Sequence, residues 1–191
     1  MYNKNLNRWK LKKWYEVVAP EYIQTKNHII GSVISHDESN LVGRIIRVSL
    51  ADITGRIDDD KSLYSTLLFR TTHVRGSQIA SEVVGFEIAL SYLKNLARSG
   101  KTVIHHVQRV KLKDGTEITV KSFLVTSAKV SAIVKRNLRK KLHVELELEL
   151  SNKKFGDFIN SLIDESLNTK IYRELNKINP IDHFMIKKFE I

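Results

Sequence analysis

The chain has no cysteine. Disulfide frameworks, thiolate nucleophiles and cysteine-ligated metal sites are excluded by that absence alone. No run of about eighteen apolar residues occurs, so no segment is expected to span a bilayer as a helix. Met1 to Trp14 is polar and basic and lacks the apolar core of a secretory signal. The expected compartment is therefore the cytosol. Internal repeats, glycine-rich phosphate loops, a Ser-His-Asp pattern and zinc-ligand spacing are missing as well. Proline is nearly absent, and its two occurrences, Pro20 and Pro180, each fall where a segment ends.

Acids are scarce in two stretches, and that scarcity organises the rest. Residues 94–143 carry thirteen Lys and Arg against only Asp114 and Glu117, a net of +11 that equals the charge of the whole chain. Residues 1–15 add five bases and no acid, while residues 16–93 and 144–191 are mildly acidic, at −3 and −2. A uniformly basic surface kept for solubility would not be so uneven. With a pI of 9.8 the simplest partner is a polyanion, nucleic acid before an anionic membrane. At 191 residues and 42% hydrophobic content, the chain can bury a proper core as one domain, or as one domain with an extension.

Residues 1–15 read as a basic arm with Trp9, Trp14 and Tyr15 interleaved, and residues 16–191 as a single domain. Lysine neutralises phosphate and an aromatic face can stack on an exposed base. Ile29 to Ile34 is a short apolar stretch, and His36 to Asn40 a polar turn. Leu41 to Leu50 reads as a strand from its β-branched content. Asp52 to Gly55 and Asp58-Asp59-Asp60 read as loops. Ser62 to Val74 and Gln78 to Gly85 are expected as strands joined in a hairpin. From Phe86 to Ala97 the period changes to that of a helix, with Gly100 at its C-terminal cap. Thr102 to Leu112 and Thr116 to Thr126 form a second hairpin across Asp114-Gly115, a pair suited to the two positive-φ positions of a primed turn. Arg109, Lys111, Lys113 and Lys121 can then share one face.

From Val130 the apolar residues step by four through Val134, Leu138, Leu142, Leu146 and Leu150, with Ile133 beside them. Lys135, Arg136, Arg139, Lys140 and Lys141 cover the other side. The alternation from His143 to Leu150 fits a strand equally well. Phe155 to Ile178 is helical, with a break expected at Ser166 to Asn168, and Ile181 to Ile191 closes the chain as a strand.

Several motifs, taken in order, resemble a known family. They are Lys12-Lys13-Trp14-Tyr15 with Ala19-Pro20, then Leu41-Val42-Gly43-Arg44 running into Val48-Ser49-Leu50-Ala51-Asp52-Ile53-Thr54. Next come Leu68-Phe69-Arg70, Val74-Arg75-Gly76, Val84-Gly85-Phe86-Glu87, the Asp114-Gly115 turn and Leu138-Arg139-Lys140-Lys141. The series ends in Lys177-Ile178-Asn179-Pro180-Ile181 and Ile186-Lys187-Lys188. Their order resembles the small-subunit ribosomal protein family eS-one (older name S-three-A-e), in its archaeal form, over nearly the whole chain. The sequence departs from that pattern at Leu96 to Lys101, where the family has a run of arginines, and at Asn179, where it has an aromatic.

The resemblance implies an α+β fold, a β-barrel-like core of mostly antiparallel strands flanked by helices, and a helical Leu138 to Leu150. It also implies a structural role without catalysis or cofactor: binding small-subunit rRNA at the platform, beside neighbouring platform proteins and mRNA near its exit. Phosphate neutralisation is then expected from Lys10, Lys12, Lys13, Arg44, Arg98, Lys101, Arg109, Lys111, Lys135, Arg136, Arg139 and Lys140, with Trp14 as a stacking surface. Two other classes are weighed beside it. An RNA-processing enzyme would have to use His105, His106 and Asp58 to Asp60. Adjacent strand residues point to opposite faces, so the two histidines do not make a metal site together. A peripheral membrane binder would use the basic helix, which Glu145, Glu147 and Glu149 oppose.

Overall fold

The computed structural model describes residues 12–23 and 29–191. Eight strands and six helices follow one another as β1 (Lys13–Val18), β2 (Ile29–Ser35), β3 (Ile45–Ser49), α1 (Leu50–Thr54), α2 (Asp60–Tyr64), β4 (Ser65–Arg75), β5 (Gln78–Ile88), α3 (Leu90–Leu96), β6 (Val103–Lys111), β7 (Glu117–Thr126), α4 (Ala132–Ser151), α5 (Phe155–Ile163), α6 (Ser166–Asn176) and β8 (Ile181–Glu190). The sheet runs β2-β1-β5-β8-β7-β6, and β4 and β3 branch from β5. One edge of β5 is paired along its length with β4. The other is shared, with Gln78 to Ala80 on β1 and Gly85 to Glu87 on β8. Every strand pair is antiparallel except β1 with β5.

The class is α+β, as the sequence implied, but the sheet does not close into a barrel. β2 and β3 both lend side chains (Ile30, Val33, Ile46) to a small core around Tyr15, Val17, Leu41 and Ile79, yet they do not pair with each other. β3 is also shorter than expected. Gly43 turns the chain before it at φ +80°, and the Ser49 hydroxyl accepts the N–H of Ala51 to start α1 after it. Leu50, Ala51 and Ile53 are thus a buried helical face rather than strand and loop. The run Asp58 to Asp60 is likewise not all loop, since Asp59 caps α2 through the N–H of Lys61 and the Ser62 hydroxyl.

Four further boundaries differ from the expected ones. β5 continues through Phe86 and Ile88, both buried, so α3 begins only at Leu90. The turn between β6 and β7 spans Lys113, Asp114 and Gly115, and only Gly115 has a positive φ, of 83°. Its N–H meets the carbonyl of Leu112 at 3.0 Å, and Leu112 N–H meets Thr116 O at 2.9 Å, a three-residue loop with glycine at the left-handed position instead of a primed pair. The break between α5 and α6 falls at Glu165, φ 59°, one residue ahead of the expected site. Lys13, Trp14 and Tyr15, read as the end of the arm, lie in β1, and Tyr15 is buried.

The main core lies between the sheet and α4, α5 and α6. Leu138, Leu142, Leu146 and Leu150 of α4 are all buried, and helix wins over strand across His143 to Leu150 because this four-residue stripe seats on β6 and α6. Ile133, expected beside that stripe, points to solvent instead. Phe189 of β8 sits among the rings of Phe86, Phe155 and Phe158. β5 and β8 approach closely at Gly85, where a Cβ would stand 3.0 Å from the Phe189 carbonyl oxygen and 3.1 Å from Leu68 Cδ1. A backbone oxygen cannot swing aside, so Gly85→Ala is expected to cost about 1–3 kcal/mol, read as a lower Tm in thermal unfolding.

Candidate nucleic-acid interface

The basic stretch folds into two adjoining pieces, α4 and the β6–β7 hairpin. α4 packs along β6. Gln108 Nε2 donates to the carbonyl of His143 at 3.2 Å, and the rings of His106 and His143 meet edge to face at 5.8 Å. Burial lowers the pKa of His106, the Gln108 hydrogen bond opposes that, and the charges of His143 and Arg139 lower it further. The net effect holds the His106 imidazole below its ordinary pKa. These contacts lay the flank of α4 that carries Arg139 and His143 against β6, an edge strand of the sheet.

Along that flank and outward from it lie Lys135, Arg136, Arg139 and Lys140. They occupy about 140° of the helix circumference at 100° per residue. Arg136, Arg139 and Lys140 are exposed, Lys135 is half-exposed, and none of the four makes an ion pair among the described residues. On the hairpin, Arg109 and Lys111 are exposed on the face turned away from the buried Gln108 and Val110. Lys121 shares that face, as the sequence suggested, because Val107 is its cross-strand partner. Its charge is already used: Lys121 Nζ sits 2.8 Å from Glu190, Lys188 bonds Glu190 at 2.7 Å, and Arg47 and Lys188 both reach Glu87. The sheet face is therefore basic at the β6 edge and of alternating charge further in.

A second group forms at the other end of the sheet. Trp14 is the Cα partner of Ile34, whose carbonyl accepts a hydrogen bond from Arg44 Nη1 at 3.5 Å. An indole 65% exposed is thus linked through Ile34 to a guanidinium thirty residues away in sequence, while the exposed Lys13 before it on β1 points to the opposite face. In the strand order β5, β8 and β7 separate β1 from β6, so the Trp14 and α4 groups are distinct surfaces. Lys12 borders the Trp14 group, and Lys10 lies outside the described residues.

The match to known proteins runs the length of the chain. The profile of the Ribosomal S3Ae family covers residues 2–191. This chain belongs to that family. Small ribosomal subunit protein eS1 of Saccharolobus islandicus (strain L.S.2.15 / Lassen #1) is 28% identical over 185 residues, 97% of this chain and 86% of the relative. The namesake from Saccharolobus solfataricus gives the same identity and coverage. That from Methanococcus maripaludis is 27% identical over 183 residues, 96% of this chain and 79% of the relative.

Within this S3Ae fold two other expected contacts part ways. Arg98 is exposed with no ion partner among the described residues. Lys101 instead donates to Asp182, whose other oxygen accepts the Ser127 hydroxyl at 2.7 Å. The hydrogen bond from Lys101, then that from Ser127, hold the Asp182 carboxyl below the usual range. Because the folded pKa is the lower one, the stability it contributes is complete above the ordinary value of about 3.9. It is lost as pH falls through the depressed folded value. Asp182→Asn should flatten this acid limb in urea unfolding followed from about pH 5 to pH 2.

The histidines are occupied locally, and of the Asp run Asp59 is taken up in capping α2. His105 lies against the Phe123 ring at 5.5 Å, and His106 against His143. Among the described residues no three His, Asp or Glu side chains are placed to hold a metal ion. Among the described residues no helix is long and apolar enough to cross a membrane. Sequence reasoning missed Lys129, Lys154 and Lys187, none of which makes an ion pair among the described residues. Which bases lack acids is decided by partners as distant as Asp182 and Glu190, so no local signal could have separated them.

Proposed function

We propose that this chain is a structural, non-catalytic component of the small ribosomal subunit, in the cytoplasm, and that it binds small-subunit rRNA. The α4–β6 face would be the main contact, and Trp14 with Arg44 a second one. The observation that carries the reading is the arrangement of charge on α4. Lys135 and Arg136 follow the Ser131 cap by four and five residues, near the positive end of the helix dipole. Lys135 with Arg139 and Arg136 with Lys140 are like charges at i,i+4, each pair unfavourable by about 0.2–0.5 kcal/mol. The acids Glu145, Glu147 and Glu149 sit toward the negative end. Helix stability alone would favour the reverse order, so these bases answer to a polyanion outside the chain. The family and the name its relatives bear support the ribosome as the place where that polyanion is met.

The finer placement, at the platform near the mRNA exit beside neighbouring proteins, rests on the motif resemblance. Sucrose-gradient sedimentation of a lysate, followed by a high-salt wash, tests the whole reading. Co-sedimentation with the small subunit that resists moderate salt supports it, and footprinting of the bound rRNA then tests the platform. A chain that stays at the top of the gradient sinks the ribosomal reading and favours a free-standing RNA-binding protein.

A further inference from the structure

On the surface made by α2 and α3 the chain carries the opposite chemistry. Tyr64 and Tyr92 stack with ring centroids 5.4 Å apart at 23°. The Tyr64 carbonyl accepts the N–H of Ala89 at 2.8 Å, one rung beyond the last β4–β5 pair, Ser65 with Ile88. That rung brings the end of α2 to the start of α3. Leu63, Tyr64 and Leu90 are 47%, 45% and 64% exposed there. The acids are close by: after burial, Asp59, Glu165 and Asp60 are what raise the Tyr92 hydroxyl's pKa. Lys61, the cation next to Asp60, is paired with Glu165 at 2.8 Å, and Lys94 stands one turn beyond Leu90 as a rim cation.

An apolar, aromatic surface under a negative local field does not suit rRNA, because the acids repel phosphate. It does suit arginine. A guanidinium stacks on a tyrosine face and pairs with a carboxylate through its planar fork, and both are offered here together. We propose that the Tyr64–Tyr92 surface, edged by Asp59 and Asp60, is a docking site for an arginine-bearing segment of another protein. The proposal rests on the ribosomal reading only for where that partner is met.

The first test titrates the full chain with fluorescein-labelled octa-arginine, read by anisotropy. A protein of net +11 repels such a peptide unless a local acidic surface receives it. Binding is expected, and at least a tenfold loss in the Asp60→Asn, Tyr64→Ser double variant, with Arg75→Gln, at the exposed far end of β4, no weaker than the parent. Asp60→Asn alone, at an exposed position, should weaken binding measurably and covers the case in which the double variant unfolds. Equal binding by parent and Asp60→Asn, or none by the parent, overturns the proposal. A second test replaces Leu90 with p-benzoylphenylalanine in purified small subunits. Crosslinking to an arginine-containing peptide of another protein supports the site. Crosslinking only to RNA, or none in subunits that contain the chain, overturns it. A chain that never enters subunits would sink the ribosomal reading and leave the peptide titration to decide the docking site.

Discussion

Replacing Lys135, Arg136, Arg139 and Lys140 together with glutamine should greatly weaken binding to small-subunit rRNA while leaving the fold at least as stable. Each phosphate contact contributes about 0.9 to the slope of log affinity against log salt on a duplex. Four contacts account for a slope of about 3.6, so between about 50 and 200 mM salt the parent should lose roughly a hundredfold more affinity than the variant. Stability should move the other way, because the substitutions remove two like-charge i,i+4 pairs and relieve the unfavourable end of the dipole. None of the four side chains belongs to the leucine stripe that seats α4. A matched control takes glutamine to Lys61, Lys121, Lys177 and Lys188, whose charges are already met by Glu165, Glu190, Glu174 and Glu87. It removes the same net charge and should change the salt slope far less. Equal slopes for the two variants would mean that net charge alone drives binding and that α4 is not the interface.

That contrast marks how far the sequence could be read. Residues 94–143 announced the basic face, and the four-residue step of leucines announced the helix beneath it, because both are local patterns. The choice between helix and strand at His143 to Leu150 was not local. The alternation of Glu and Leu satisfies either period, and it is settled by Leu142, Leu146 and Leu150 finding β6 and α6 to bury against. The short helices α1 and α2 escaped because five residues hold too few periods to register. Their caps, Ser49 and Asp59, were visible but looked like loop residues. The split role of the bases was invisible in principle. Lys101 and Arg98 are near neighbours in sequence, yet only Lys101 meets an acid, Asp182, eighty-one residues on. The resemblance to a ribosomal family implied the chemistry of the partner, but not the division of the basic residues into two surfaces. That division follows from β1 and β6 lying apart in the strand order.

Phe189→Ala tests the scaffold that holds those surfaces, and it should be among the most damaging single changes in the chain. The ring is fully buried and touches three others: Phe158 at 5.1 Å, and Phe86 and Phe155 at 6.4 Å each. Truncating a buried phenylalanine costs about 3–5 kcal/mol in transfer and cavity terms. A domain of this kind has about 5–15 kcal/mol in total, so the loss takes at least about a fifth of its stability. Collapse cannot relieve the cavity easily. β8 is hydrogen-bonded on both sides, to β5 through Phe86 and to β7 through Val120, so the backbone at Phe189 cannot sink inward to refill it. Phe189→Leu keeps much of the volume and should cost well under half as much. Urea unfolding should show a lower midpoint with an unchanged m-value, the sign of lost packing rather than an altered unfolded state. RNA affinity measured well below the new Tm should stay close to that of the parent, since no charge and no residue of the α4 face has changed. A variant that kept its midpoint would mean that β8 and α5 do not share one core; a variant that kept its midpoint but lost RNA binding would place the interface on β8 instead of α4.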